Sequence, residues 1–501
     1  MCGFAGFVDS ARTSDHPVLC ATVRHMAAAV QHRGPNDEGT WADASAGVAF
    51  GFRRLSIVDL SPEGHQPMQS ATGRYVVLFN GEIYNFESLR RDLAGGGTPA
   101  AFRGRSDTEV LLAAVERWGI EEAVRRFVGM FAFALWDRKE RRLHLGRDRL
   151  GEKPLYYGWM GRAFLFGSEL KALKRHPEFR GDIDRDALVP YLRSGYIPAP
   201  HSIYKGIHKL PPGTILTLNQ ATPPDLPSPV RYWSAREVAE AGTRMPFTGS
   251  ENEAVDQLDH LLREAVRLQM VADVPLGAFL SGGIDSSVVV ALMQSQSARP
   301  VKTFTIGFNE AEYNEAVHAK EVARHLGTEH TELYVTPADA LGLIPELPFL
   351  YDEPFADSSQ IPTSLVSRLT SESVTVSLSG DGGDELFGGY PWYFQAIGIW
   401  NKVGALPAPA RRLAAAALGG LSARNWDRAL AVLRPLLPRR LGRYSSGDRI
   451  HKFADLLREA DSPGSVYRAL VSRWYGDVPV VRGAAGHRTL LTDEAAWPGL
   501  L

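Results

Sequence analysis

The apolar pattern of this chain changes rhythm once, at a run of prolines, and that change divides what the chain can fold into. Before about residue 210 the apolar stretches are short and punctuated by glycine: Gly3 to Val8, Gly47 to Phe52, Tyr75 to Asn80, Met130 to Trp136 and Phe164 to Phe166. They read as strands of a β-rich layer. Two helical patterns interrupt them, Val18 to Val30 and Thr108 to Arg117. Mixed elements in this order predict an α+β arrangement or a sandwiched sheet. Pro211 and Pro212 then precede a strand-like Thr214 to Leu218, and Pro223, Pro224, Pro227 and Pro229 follow. Proline at this density removes backbone donors, which places a linker here.

Past the linker, strands alternate with helices. Ser250 and Glu253 form a capping box, and Val255, Leu258, Leu262, Ala265 and Val266 follow near helical spacing. Pro275 to Leu280, Val301 to Phe308, Glu332 to Val335 and Val374 to Leu378 read as strands; Ser286 to Met293 and Glu315 to Leu326 read as helices, the second closed by Gly327. This alternation predicts a doubly wound parallel sheet. Beyond Tyr390 the signal weakens. Leu413 to Leu418 reads as helix, and the four arginines of Arg434 to Arg443 read as a solvated face, with a basic contact site as the alternative. Trp392 and Tyr393 read as core or interface residues.

A chain of 501 residues exceeds one ordinary core, so at least two domains are expected. Its net charge of −2 favours neither nucleic acid nor a membrane surface. Only Cys2 and Cys20 occur, which is no disulfide framework and suits a reducing compartment. The N-terminal residues lack a signal-peptide pattern and no apolar run is long enough to span a bilayer, so the expected location is the cytoplasm. Oligomeric state is not legible; a homodimer is one admissible assembly.

Cys2 follows Met1 directly. Trimming of Met1 would leave a thiol and an α-amine, pKa near ~8, on one residue, as in N-terminal nucleophiles. A buried, inert cysteine is the plain alternative. Arg54, at the start of the apolar, strand-like run Leu55-Ser56-Ile57-Val58, is placed to grip a carboxylate bidentately. Asn80 and Gly81, following a strand, offer an amide and a backbone N–H for an oxyanion. Asp107 can take an α-ammonium or serve as a helix N-terminal charge, and both roles can hold together.

These stretches resemble the class II glutamine amidotransferases. The matching residues are Met1-Cys2-Gly3, His32-Arg33-Gly34-Pro35, Arg54 to Asp59, Asn80 to Asn85, Ser106-Asp107, Gly129 to Ala134 and Gly146-Arg147-Asp148. The resemblance implies the αββα sandwich of N-terminal-nucleophile (Ntn) hydrolases, Cys2 as nucleophile, and glutamine held by Arg54, Asn80, Glu82 and Asp107 along the Arg54 to Val58 stretch. Asn36 stands where the family usually carries aspartate, with little effect expected.

Leu280-Ser281-Gly282-Gly283-Ile284-Asp285-Ser286-Ser287 joins a strand to a helix. Its glycine N–H groups, serine hydroxyls and helix N-terminus suit phosphate, and Asp285 can hold Mg²⁺ beside it. No lysine follows, so it is not a Walker A loop. A plain serine-glycine turn is the alternative. Ser379-Gly380-Asp381-Gly382-Gly383-Asp384-Glu385 is a second, acidic loop: Asp384 can complete the metal site and Asp381 can act as a general base. With Asp352-Glu353-Pro354, the pair resembles the ATP pyrophosphatase domain (adenine nucleotide α-hydrolase-like) of asparagine synthetases and β-lactam synthetase. That resemblance implies that Leu280, Ile306, Ser379 and Gly380 contact adenosine beside the Ser281 to Ser286 phosphate loop, that Asp285 and Asp384 hold Mg²⁺, and that Asp381 supports intermediate formation.

Together the halves resemble glutamine-hydrolysing asparagine synthetases: a glutaminase domain over residues 1–210, a strand and proline-rich linker over 211–249, and a synthetase domain over 250–501. The implied substrates are glutamine, ATP and aspartate, with amidation of another carboxylate, or a remnant with glutaminase or binding activity alone, as alternatives. The recognisable motifs end near residue 395. An Asp-Arg-x-Ser-Met stretch, a Glu-x-Arg-x-Pro-Phe-Leu-Asp stretch and an assisting lysine, usual in the family, are not found in Pro391 to Leu501. Truncation is the expected reason, ahead of a second polypeptide or a short family variant.

Overall fold

The computed structural model describes residues 1–95, 102–219, 225–309, 314–433, 446–474 and 480–492. Contacts group the chain into two bodies, Met1–Asp184 with Pro198–Asp381, and Arg185–Ile197 with Gly382–Leu501.

The first body opens with two six-stranded antiparallel sheets. One sheet has the order β10-β8-β9-β1-β3-β2, formed by β1 (Gly3–Asp9), β2 (Asp37–Asp43), β3 (Val48–Arg54), β8 (Tyr156–Met160), β9 (Ala163–Gly167) and β10 (Ile207–Lys209). The other has the order β12-β11-β7-β6-β5-β4, from β4 (Met68–Gln69), β5 (Tyr75–Ile83), β6 (Gly129–Asp137), β7 (Arg142–Arg147), β11 (Thr214–Leu218) and β12 (Val230–Arg231). Side-chain parity builds two cores from one strand. On β5, Val76 and Leu78 join Phe4, Phe50, Phe52, Leu145 and Phe166 between the sheets. Val77 and Phe79 join Val110, Leu111, Val115 and Val124 under the helices Asp107–Trp118 and Ile120–Arg126. The helix His16–Ala28 covers the first sheet against β3. The layers are therefore helix, sheet, sheet, helix, the expected Ntn arrangement.

Two local expectations are corrected. The Asn80-Gly81-Glu82 stretch does not follow a strand; it lies within β5, because pairing with β6 continues through Asn80–Ala132, Gly81–Phe131 and Glu82–Met130. A Cβ on Gly81 would lie 2.2 Å from the Met130 carbonyl oxygen, so only glycine lets the strands close here. The Leu55 to Val58 stretch is not a strand. Its backbone donors go to side chains instead: Leu55 N–H to Cys2 Sγ (3.4 Å), Ser56 N–H to Asn36 Oδ1 (3.0 Å) and Asp59 N–H to Asp273 Oδ2 (2.9 Å). An aspartate at position 36 would accept the same bond, so the departure there is harmless.

The same body contains a four-stranded sheet of order β15-β14-β13-β16, all pairs parallel: β13 (Leu276–Phe279), β14 (Lys302–Phe308), β15 (Glu329–Val335) and β16 (Val376–Leu378). The capping box at Ser250 and Glu253 is formed and starts the helix Glu251–Gln269. Gly327 closes Ala316–Leu326 in the left-handed conformation that glycine adopts without strain. Pro223 and Pro224 lie outside the described residues.

In the second body the helices Pro391–Val403, Ala408–Gly419, Gly447–Glu459 and Pro463–Val471 bury Ala396, Val403, Ala415, Leu456, Leu457 and Val466. Tyr393 stacks on Tyr467 at 5.6 Å, while Trp392 is about half exposed. Arg434 to Arg443 lie outside the described residues. Among the described residues no helix is long and apolar enough to cross a membrane.

Candidate functional site

Strand parity sends Asn80 and Glu82 to the inter-sheet face of β5, towards the start of β1, where Cys2 sits. The result is a cavity at the start of β1. Its lining includes Cys2, Arg54, Leu55, Ile57, Val58, Asn80, Gly81, Glu82 and Asp107. Ser56 is not among them; it faces an adjoining cleft with Asn36, Leu60 and His65.

The thiol is pinned as well as buried. Cys2 Sγ accepts from Leu55 N–H and donates to the Leu55 carbonyl at 3.5 Å. Burial pushes its pKa up, only partly countered by the Leu55 hydrogen bond, so the free thiol is not a ready thiolate. Burial also lowers the Met1 amine to about 6, with Arg33 and Lys153 adding to the depression. An amine in this environment is a neutral base at pH 7.

Arg54 is buried and donates to the Ser61 carbonyl at 3.0 Å and to the Asp59 carbonyl. That fixes the guanidinium while leaving further N–H donors towards the cavity. Asn80 is 1% exposed, yet neither its Oδ1 nor its Nδ2 has a hydrogen-bond partner. One oxygen of Glu82 is likewise buried and unpartnered. Orphaned polar atoms aimed into a cavity are what an absent polar ligand leaves behind.

Two carboxyl groups share this space. Burial raises Glu82 to about 7, and the neighbouring Asp107 charge adds to the rise. Burial raises Asp107 to about 6, although its Oδ2 accepts the Ile83 N–H at 2.9 Å. The folded state therefore holds protons that an unfolded chain releases at lower pH. This penalty is absent below pH ~3.8, grows as pH rises towards ~7, and is constant above that. Glu82→Gln is expected to flatten this dependence and to stabilise the empty protein at pH 8 by on the order of 3 kcal/mol. The thermal midpoint difference between variant and parent, compared at pH 5 and pH 8, checks it; an equal difference at both pH values would refute it.

Lys153 was missed in the sequence. It lines the cavity, 5% exposed, with Nζ 2.8 Å from Met1 Sδ, and burial pushes its pKa down. Asp148 delivers it: this fully buried carboxylate accepts the N–H groups of Phe131, Leu150, Gly151, Glu152 and Lys153, folding the turn around itself. The signal was the buried aspartate in Gly146-Arg147-Asp148, five residues earlier.

The residues expected to border a nucleotide gather at the carboxyl ends of β13, β14 and β16, where doubly wound sheets bind ligands. Leu280 follows β13 with its side chain in the core, Ile306 lies on β14, and Ser379 and Gly380 follow β16. Gly282 adopts φ +81°, and a Cβ there would lie 2.7 Å from Ala319 N. A Cβ on Gly380 would lie 2.7 Å from Ser286 N, so the two loops touch only because this residue has no side chain. The serine hydroxyls do more internal work than expected. Ser286 Oγ accepts from Ser281 N–H and donates to the Gly283 carbonyl; Ser287 Oγ donates to the same carbonyl at 2.6 Å. Ser379 Oγ donates to Asp381 at 2.9 Å. Asp285 belongs to the first body and Asp384 to the second. Among the described residues no three His, Cys, Asp or Glu side chains form a metal cluster. Asp285, in the first body and within the Ser281 to Ser286 turn, suits Mg²⁺, which keeps waters and takes its remaining ligands from phosphate.

Comparison with known proteins agrees with both halves. Residues 1–233 match the glutamine amidotransferase domain family and residues 257–497 the asparagine synthase family, so the second match continues past the last recognisable motif near residue 395. Asparagine synthetase [glutamine-hydrolyzing] 1 of Bacillus subtilis is 36% identical over 403 residues, covering 80% of this chain and 60% of the relative. Its paralogue, asparagine synthetase [glutamine-hydrolyzing] 3, is 33% identical over 79% of this chain and 64% of its own length. An asparagine synthetase homologue of Methanocaldococcus jannaschii is 36% identical over 78% of this chain and 76% of its own length. The chain thus spans about 60% to 64% of the Bacillus relatives. Superposition on the Bacillus subtilis glutamine phosphoribosylpyrophosphate amidotransferase reaches a TM-score of 0.33 at 16% identity, covering 68% of this chain and 70% of that one. With both domain families in order and a third-identical relative matched over three quarters of its length, the chain belongs to the glutamine-hydrolysing asparagine synthetase family.

Proposed function

We propose that this protein hydrolyses glutamine at Cys2 and uses the ammonia to amidate a carboxylate activated by ATP, with aspartate as the acceptor and asparagine, AMP and pyrophosphate as products. The observation that carries the reading is the unpartnered Asn80 amide, which shares one cavity with the Cys2 thiol, the Arg54 guanidinium and two carboxyl groups.

In this reading Arg54 holds the α-carboxylate of glutamine and Asp107 and Glu82 its α-ammonium. The α-amine of Cys2, freed by loss of Met1, takes the thiol proton. The sulfur attacks the carboxamide carbon, and the oxyanion is held by Asn80 Nδ2 and the Gly81 N–H. Collapse releases ammonia and leaves a thioester, which water cleaves to glutamate. In the other half the acceptor carboxylate attacks the α-phosphorus of ATP, giving an acyl-adenylate and pyrophosphate. Leu280, Ile306, Ser379 and Gly380 border the adenosine, the Ser281 to Ser286 turn the phosphates, and Asp381 the reacting centre. Asp285 and Asp384 would hold Mg²⁺, which neutralises phosphate charge when bound. Ammonia survives as a nucleophile only if kept from bulk water. Two free cysteines and a near-neutral charge suit work in the cytoplasm.

ATP–pyrophosphate exchange tests the acceptor. Exchange dependent on aspartate and lost in Asp285→Ala is expected. Exchange with other acids alone would move the acceptor elsewhere, and no exchange with any acid would leave only the glutaminase half of the reading.

A further inference from the structure

Two motifs remain without a role, His32-Arg33-Gly34-Pro35 in the first half and Asp352-Glu353-Pro354 in the second. The structure joins them. Arg33 Nε donates to the Cys2 carbonyl at 2.9 Å, and Arg33 Nη1 pairs with Glu169 at 2.7 Å. Lys171 Nζ pairs with the other oxygen of Glu169 and lies 3.4 Å from Asp352 Oδ1. The Lys171 backbone N–H donates to Asp352 Oδ2 at 2.9 Å. These four side chains are only 7% to 13% exposed, so none is replaced by water at little cost.

At the far end of the row Asp352 caps the helix Leu347–Tyr351 in a left-handed conformation, φ +63°, which aspartate adopts more readily than most side chains. Its carboxylate holds both the backbone N–H and the side-chain ammonium of Lys171. Phe349, three residues earlier, packs against both Lys171 (4.8 Å) and His32 (5.5 Å). Glu353 is clamped in parallel by Lys209 and accepts the Ile203 N–H at 3.3 Å. The alternating-sign row therefore runs without a break from a loop of the nucleotide half to the residue bearing the thiol.

We propose that Lys171 and Glu169 are positioning residues through which Asp352, in the nucleotide half, sets the orientation of Cys2. The row Asp352–Lys171–Glu169–Arg33–Cys2 is a mechanical link: a shift of the 352–353 loop moves Lys171, then Glu169, then the guanidinium that holds the Cys2 carbonyl. A nucleophile displaced by a fraction of an ångström loses its line of attack. This inference rests on glutamine hydrolysis at Cys2, proposed above.

The test is a double-mutant cycle on the full chain. Lys171→Met and Asp352→Asn, which keep side-chain volume, should each lower kcat/KM for glutamate release about tenfold to a hundredfold. The double variant should be no worse than the poorer single, because both cut one row, and Lys171→Arg should recover most of the loss. Alkylation of Cys2 by iodoacetamide, followed against pH, needs no turnover and should change alike in both singles and the double. Additive losses, or an alkylation profile identical to that of the parent protein, would overturn the link. If the parent protein releases no glutamate, the proposed function fails, and the alkylation profiles alone judge the link.

Discussion

Glutamate release from glutamine should fall at least about ten-thousandfold when Cys2 is replaced by alanine, because the nucleophile is removed and no other thiol faces the cavity. Cys20, the second cysteine, lies on the helix His16–Ala28 and does not line it. The size of the loss follows from how the thiol is prepared. Burial holds its pKa up, so it depends on a base to become thiolate, and the α-amine of a chain that has lost Met1 lies on the same residue. Sulfur and base act as one unit, so losing one forfeits the contribution of both. ATP–pyrophosphate exchange should be unchanged in the same variant, since it uses groups at the ends of β13, β14 and β16. Parallel assays on one preparation check both statements. Retained glutamate release would remove Cys2 from the mechanism.

Asn80→Leu should produce two effects of opposite sign. Activity should fall about a hundredfold to a thousandfold in kcat, the measured scale for deleting one oxyanion donor. Stability of the empty protein should hold or rise. The reason is that both amide atoms are buried and unpartnered, a penalty of about 1–3 kcal/mol that leucine of similar size does not incur. A residue kept for packing behaves otherwise: Leu78→Ala, in the same strand and fully buried, would lower stability by about 2–5 kcal/mol through cavity formation. Thermal midpoints with steady-state kinetics separate these cases. A clear fall in midpoint for Asn80→Leu would mean the amide is a structural group.

Much of this was legible in the residues because local chemistry and tertiary structure agree. The Ser250–Glu253 box and the Gly327 cap appear as read, since both depend on neighbours three or four residues away. The parallel sheet was legible from short apolar runs separated by helical ones. The errors fall where distant partners decide. Asn80-Gly81 reads as the end of a strand, yet β6 lies alongside and carries the strand through it. Leu55 to Val58 looks like a strand, yet Cys2, Asn36 and Asp273 take its donors. Lys153 carries no motif of its own and reaches the cavity only because Asp148 folds the preceding turn. The Lys171–Asp352 pair spans 181 positions and leaves no local trace.

The most direct measurement is covalent labelling with a glutamine analogue bearing a diazoketone in place of the carboxamide, followed by peptide mass mapping. One adduct is expected, on the Cys2 sulfur of a chain that has lost Met1, with glutamate release stopped in proportion to labelling and excess glutamine protecting. An adduct on any other residue, or full labelling of Cys2 with undiminished glutamate release, would contradict a cavity in which this thiol opens glutamine.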